Sequence, residues 1–314
     1  MDWGQAKNIL IVAFLVLNMF LGYKLIVAED AFFIKAQVTE QEKEEVRQTM
    51  QENNITFEGD IPDEIFSSEY LDVSNYELNP IALAENLYDE EISVHSSEED
   101  EVERIIEITD SKARIYQYSS GKLTFEFEDE YVFEQGSLVQ SEEIAREQAE
   151  IFLDELNFPD NLELHGIYDQ SLVLSHSNEL RSNILGQNQD EESIGLIYYQ
   201  EIDDGYKLYG GYVYIEISNQ GIEGAEVYLL EEKGFHEESI EVIPATMALI
   251  RLGEYLPDDQ EPREINDISF GYYTEEYVAD TWEAVPVWRI EMTSFDSYCI
   301  NAFTGELEKE GTTE

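Results

Sequence analysis

The chain has 314 residues, with 17 lysines and arginines against 71 aspartates and glutamates, a formal charge of −54 at pH 7. That balance argues against a nucleic-acid partner, because holding a phosphate backbone takes clustered cations. A hydrophobic share of 43%, with 12% aromatic residues, argues equally against a disordered polyanion and is enough to core about two domains at roughly 150 residues each.

The single Cys299 removes intramolecular disulfides and cysteine-based zinc clusters from consideration. So acidic a surface repels itself and other anions, which points to surroundings of high salt or alkaline pH.

In chain order, the first predicted element is a membrane helix. An apolar run starts at Ile9 and reads ILIVAFLVLNMFLGY to Tyr23, followed by Lys24 and LIVA to Ala28. A bilayer core needs about 20 helical residues, and 8–28 supplies them if Lys24 extends toward the headgroups. Ahead of it Asp2 stands against Lys7, unlike the basic stretch of a cleaved leader, so an uncleaved anchor is expected. Residues 1–7 are then a cytoplasmic tail, and the chain after Ala28 is extracytoplasmic. Asn18 is strongly polar at mid-span, and Ile11, Leu15, Asn18 and Gly22 fall on one face at helical spacing. Polar and small residues in membrane helices mark contact with another helix; the bland alternative is an anchor that tolerates one asparagine.

Residues 29–101 are expected to form a charged helix and a connector. From Val38 to Asn54 the pattern is helical, with Thr39 and Glu42 spaced as a capping box. Its apolar positions Val38, Val46 and Met50 are too sparse for a deeply buried face, which predicts a stalk or peripheral helix. Pro62, Pro80 and the acidic run SSEEDEVE make 61–103 an irregular connector with at most one short helix, at 82–88.

From Val102 the pattern is α+β and occurs twice, predicting two similar modules, 102–204 and 205–314, each an antiparallel sheet with one helix. In the first, ARIYQYSSG and the alternating Leu123, Phe125 and Phe127 make a hairpin turning at Gly121. A helix starts at Ser141, with Ala145, Ala149, Phe152, Leu153 and Leu156 as its apolar stripe, and Pro159 stops it. Strands LHGIYDQ and IGLIYYQEI follow, separated by a long polar loop. In the second, Val213, Ile215 and Ile217 share a strand face that turns at Gly221 into Ala225, Val227 and Leu229. The next helix begins at Pro244, with Ala248, Leu249, Leu252, Tyr255 and Leu256 facing inward. FGYYTEE around Gly271 echoes HGIYDQS around Gly166. VPVWRIEM places Trp288, Ile290 and Met292 on one side, and a last hairpin turns at Thr304 and Gly305. The strand YKLYGGYVYIEI both closes the first sheet and opens the second.

Catalytic signatures are missing from this pattern: there is no nucleophile elbow, phosphate-cradling loop, HExxH or EF-hand loop, and no cofactor is called for. His95, His165, His176 and His236 are not at ligand spacing and are read as strand or loop residues. With 71 acids, carboxylate pairs occur everywhere and none is informative. Cys299 is read as a strand side chain. Tyr198, Tyr199, Tyr206, Tyr209, Tyr212 and Tyr214 could line a groove, although at alternating spacing they fit sheet packing better.

The opening MDWGQAKNILIVAFLVLNMFLGYKL resembles the N-terminus of the YycI (WalI) family of membrane-anchored regulators of Firmicute bacteria. Met1, Asp2, Trp3 and Lys7 carry the resemblance, followed by the apolar helix containing Asn18. VPVWRIEM and INAFTGELE also resemble this family and its relative YycH, and are similar to the PepSY type of α+β module. The middle acidic segment departs from the family pattern. The resemblance implies a protein that is not an enzyme, held in the cell membrane of a Gram-positive bacterium by a single pass with its C-terminal part outside. It implies action with a YycH-like partner on a sensor histidine kinase of the WalK (YycG) type, which with its response regulator controls cell-wall metabolism. In that family the membrane helices are thought to pack with those of the kinase, which here would engage Ile11, Leu15, Asn18 and Gly22. The rival reading is an anchored extracytoplasmic cell-wall enzyme, inhibitor or ligand-binding module using the sheet grooves or the 180–193 loop.

Overall fold

Short-range chemistry explains where the helices begin. Thr39 caps α1 (Glu40–Glu52): its hydroxyl accepts from the Glu42 amide at 3.3 Å, and the Glu42 carboxylate accepts from the Thr39 amide at 2.7 Å, a reciprocal capping box. Asn79 caps α2 (Pro80–Leu87) by accepting from the amides of Ile81 and Ala82, with Pro80 in the first turn, where its missing N–H is no loss. In α3 (Glu142–Glu155) the buried Ala145, Ala149 and Phe152 continue into Leu156 just beyond, one stripe at helical spacing. In α4 (Ala245–Tyr255) Ala245, Ala248, Leu249 and Leu252 are buried, whereas Tyr255 lies at the surface with its hydroxyl 3.5 Å from the Gly305 carbonyl. Its polar tip thus keeps that ring out of the apolar face expected for it.

The computed structural model describes residues 37–88, 91–96, 102–108, 113–131, 142–169, 193–202, 205–218, 221–256, 261–293 and 297–309. Ser141, residues 97–101 of the SSEEDEVE run, His176, the 180–192 loop and the whole 8–28 stretch with Ile11, Leu15, Asn18 and Gly22 lie outside them. Among the described residues no helix is long and apolar enough to cross a membrane.

The strands, in order, begin with β1 (Ile55–Phe57), β2 (Ser67–Ser68), β3 (Leu71–Asn75), β4 (Ile92–Ser96), β5 (Val102–Ile108) and β6 (Ala113–Tyr118). Next come β7 (Leu123–Tyr131), β8 (Leu162–Asp169), β9 (Ser193–Glu201), β10 (Lys207–Ser218), β11 (Ile222–Tyr228) and β12 (Leu230–Phe235). The last are β13 (Ile240–Glu241), β14 (Arg263–Tyr273), β15 (Trp282–Met292), β16 (Ser297–Asn301) and β17 (Leu307–Lys309). The class is α+β, mostly sheet with four helices among the described residues. Fifteen strands join in one branched sheet along the path β12-β3-β15-β14-β10-β11-β7-β6-β5-β4. Pairing is antiparallel except where β14 meets β1 and β10.

Two main cores are built on this sheet. The first packs α2 and α3 on strands β5 to β7 and β9 to β11, with Ile106, Ile115, Leu123, Phe125 and Phe152 all but sealed from water. Each such side chain contributes about 1.5–3 kcal/mol relative to exposure. The second packs α4 on β14, β15 and β16 around Trp288, whose indole N–H donates to the Ile243 carbonyl at 2.8 Å. The apolar face of β10 and β11 (Val213, Ile215, Ile217, Ala225 and Val227) lies in the first core, while Leu208, earlier on β10, joins a smaller core with β3 and β12. β10 therefore serves both halves.

A pair of glycines permits that change of allegiance. A Cβ on Gly210 would stand 2.7 Å from the Thr274 carbonyl oxygen, and one on Gly211 would stand 2.1 Å from Gln200 Oε1. The Thr274 backbone and the Gln200 side chain come this close to the strand only because glycine has no side chain. Gln200, buried at this bulge, donates to the Leu230 carbonyl at 2.9 Å and accepts from the Leu230 amide at 2.8 Å, imitating a missing ladder partner.

The reading of 38–103 as a stalk and loose connector is corrected. Val46 and Met50 are buried in the second core against α4, together with Ile55 and Phe57 of β1. β3 inserts between β12 and β15, with Leu71 and Val73 fully buried. Few apolar residues suffice here because Val46 and Met50 pack on both α4 and β1, and the buried Lys43 pairs with Glu40 at 3.0 Å.

Candidate functional site

The tyrosine-rich stretch is divided among several surroundings. Tyr198 enters the first core; Tyr206 is more than a third exposed; Tyr199 and Tyr209 turn to a small core with Val287 and Cys299. Cys299 is buried there on β16, as expected of a strand side chain.

Between Tyr199 and Tyr209 sits Arg289. Strand alternation sends Trp288 and Ile290 into the second core, so Arg289 and Glu291 project from the opposite face of β15. Arg289 is 4% exposed, its guanidinium carbon 5.5 Å from the Tyr199 ring centre and 5.2 Å from that of Tyr209. Its Nη1 donates to Glu291 Oε2 at 2.7 Å, and the same oxygen is 2.9 Å from His165 Nε2 on β8. Burial opposes the guanidinium charge, but Tyr199, Glu291 and Tyr209 outweigh it and hold the group above its ordinary pKa. Burial would likewise raise the Glu291 carboxyl; the His165 hydrogen bond and the Arg289 charge reverse this and bring it down to about 2. Burial pushes the Tyr209 hydroxyl up to about 12, so it stays neutral, 3.0 Å from Ser269 Oγ. The cluster ties β8 to β15 through charge, engages β9 and β10 through the Tyr199 and Tyr209 rings, and reaches β14 through the Tyr209–Ser269 hydrogen bond.

A second, partly buried charge lies beside the middle of β10. Lys122, at the β6–β7 turn, is 3.0 Å from Glu276 and 4.0 Å from Glu226, with its ammonium 5.1 Å from the Tyr118 ring centre. Ser120 Oγ donates to Glu276 at 3.1 Å, and the Tyr212 hydroxyl donates to Glu226. Burial works against the Lys122 charge, yet the two glutamates raise its pKa; burial raises that of Glu226, with Lys122 only partly offsetting it. This cluster clips the first core's hairpin to the segment that follows β14.

Of the histidines, His95 stands 3.4 Å from Glu107, His165 belongs to the Arg289 cluster, and His236 lies beside Asp72 and Glu283. Sequence spacing missed the His165 and His236 groupings because their members are distant in the chain, and missed His95–Glu107 because it depends on the pairing of β4 with β5. One clue was present: an arginine in the middle of the apolar strand VPVWRIEM, in a chain with 17 cations, needs a buried partner.

Comparison with known proteins agrees with this architecture. The chain matches the YycI protein family over residues 35–303. Among solved structures it is similar to an uncharacterized protein from Eubacterium rectale, at 15% identity and a TM-score of 0.50, covering 82% of this chain and 91% of that one. It is also similar to the C-terminal domain of YpeB from Bacillus megaterium (15% identity, TM-score 0.39, covering 77% and 100%). A third similar structure is YycH from Bacillus subtilis (12% identity, TM-score 0.41, covering 79% and 58%). No curated protein matches the chain. Because the family match runs from just before α1 to just past β16, through both cores, the chain belongs to the YycI family.

Proposed function

We propose that the chain is a membrane-anchored, extracytoplasmic regulator that acts with a YycH-like partner on a sensor histidine kinase of the WalK type, and that it is not itself an enzyme. The observation that carries this reading is the family match over 35–303. In this reading residues 8–28 are a single membrane pass in a Gram-positive cell, and the two cores lie outside it as two PepSY-like modules that share β10, the first taking in α2 and β11 and the second α1 and β1.

The mechanism is a bias on a two-state helix bundle. A membrane helix that packs better against one arrangement of the kinase helices shifts the balance toward it by the difference in contact energy. Asn18 at mid-span, with Ile11, Leu15 and Gly22 on the same face, supplies the hydrogen bond and the close approach that such a contact needs. The buried Arg289 cluster and the partly buried Lys122 cluster support a coupling role for the soluble part, since each joins segments far apart in sequence through paired charge.

In-membrane crosslinking tests this, with single cysteines at 11, 15, 18 and 22 and at intervening positions, in a Cys299→Ser background. Capture of a histidine kinase helix from that face, with the intervening positions silent, is the expected result. Uniform labelling with no protein partner would reduce the helix to an anchor and defeat the proposal.

A further inference from the structure

The end of the sheet formed by β12, β3 and β15 holds a cluster that the regulatory reading does not use. Asp72 on β3 is in register with Glu283 on β15 and, on its other side, with Gly234 on β12. His236 lies two residues beyond Gly234, so strand alternation returns it to the same face. Three adjacent segments thereby deliver three donor atoms to one spot. His236 Nε2 is 3.0 Å from Asp72 Oδ1 and 3.6 Å from Glu283 Oε1, and the three donor atoms all lie within 4.8 Å of one another.

The imidazole is held in place from behind. The His236 backbone amide donates to the Tyr70 carbonyl at 2.9 Å, the imidazole lies 5.7 Å from the Tyr70 ring, and Tyr70 in turn packs edge-on to Phe303 at 5.0 Å. Among the described residues, the ion pairs of Asp72 and Glu283 are with His236 alone, so no lysine or arginine competes for the carboxylates.

We infer that Asp72, Glu283 and His236 form a binding site for a divalent first-row transition ion, with Zn²⁺ the best fit. Donors at about 2.0–2.1 Å from such an ion and at tetrahedral angles stand roughly 3.3 Å apart. The two separations from His236, 3.0 and 3.6 Å, straddle that value, and the half-exposed Asp72 and exposed Glu283 side chains, their donor oxygens within 4.8 Å of each other, have room to close on an ion. One imidazole nitrogen with two carboxylate oxygens favours zinc-like ions over calcium or magnesium, which prefer oxygen alone. Two carboxylates balance the ion's charge, and the solvent-facing side leaves the fourth position to water. A bound ion would clamp the β12 edge to β15 across β3. The site stands or falls independently of the kinase partner.

The test is calorimetric titration of the full, metal-stripped chain in detergent with Zn²⁺, in about 0.15 M salt with Mg²⁺ in excess to occupy diffuse acidic sites. The expected result is one tight site per chain. His236→Ala, Asp72→Asn and Glu283→Gln each weaken it at least about tenfold, the scale on which metal sites respond to loss of a supporting group. His95→Ala, at the separate His95–Glu107 pair, leaves it unchanged, and Zn²⁺ raises the melting temperature more for the parent and His95→Ala chains than for the other three variants. Equal affinity in parent and His236→Ala chains, or loss of all Zn²⁺ uptake to Mg²⁺ competition, would overturn the inference.

Discussion

Arg289 is the residue whose removal should be felt most sharply. Replacing it by alanine strands Glu291 in the interior with His165 as its remaining hydrogen-bond partner, and breaking a buried pair from one side is destabilising by about 3–5 kcal/mol. Urea denaturation of Arg289→Ala should show that loss, while the double change Arg289→Met with Glu291→Met should recover much of it. A single-variant loss below about 1 kcal/mol would mean the pair is not held as drawn. The same cluster sets an acid limit. Because the Glu291 carboxyl is depressed in the folded state from 4.5 to about 2, its contribution is present above the unfolded value and is lost as the pH falls between the two. That shift amounts to up to about 3 kcal/mol. Stability curves of parent and Glu291→Gln should therefore differ most above pH 5 and converge toward pH 2; parallel curves throughout would contradict the assignment. Glu226, raised by burial, works in the opposite direction, which is why the comparison must be made at Glu291 itself.

For the elements, the decisive case is α1. Its capping box was legible from Thr39 and Glu42 alone, since a cap depends on neighbours three residues apart. Its burial was not legible, because the surface that covers Val46 and Met50 comes from α4, some two hundred residues onward. If α1 is part of the second core, Met50→Ala should destabilise the protein by about 2–5 kcal/mol in chemical denaturation. A stalk helix would tolerate the change within about 0.5 kcal/mol. β3 teaches the same lesson. LDVSN is short and flanked by polar residues, and only its insertion between β12 and β15 makes it a central strand.

For the whole molecule, charge dominates. With 71 acids against 17 bases most carboxylates face like charges, and the fold carries a standing self-repulsion. Raising monovalent salt from about 0.1 M to about 1 M shortens the screening length from about 10 Å to about 3 Å. Thermal melts should accordingly move upward by several degrees over that range. A downward shift would show that the surface is balanced by pairs that salt weakens, and would remove the argument for a saline or alkaline setting.

What the sequence by itself determined is what depends on short separations: the helix starts, the hairpin turns at Gly121, Gly221 and Gly305, the alternating faces of β7, β10 and β15, and the α+β class. These follow from local periodicity and backbone preference. Family membership was also legible, in short stretches at the two ends of the chain. Only the tertiary structure decided that residues 38–103 contribute a helix and strands to the cores, that β10 is shared between the two halves, and that His165, Arg289 and Glu291 meet, as do Asp72, His236 and Glu283. Those contacts join residues up to some two hundred positions apart. They arise from the closing of one branched sheet, whose strand order is set by the burial of both faces at once and leaves no mark at short range in the chain.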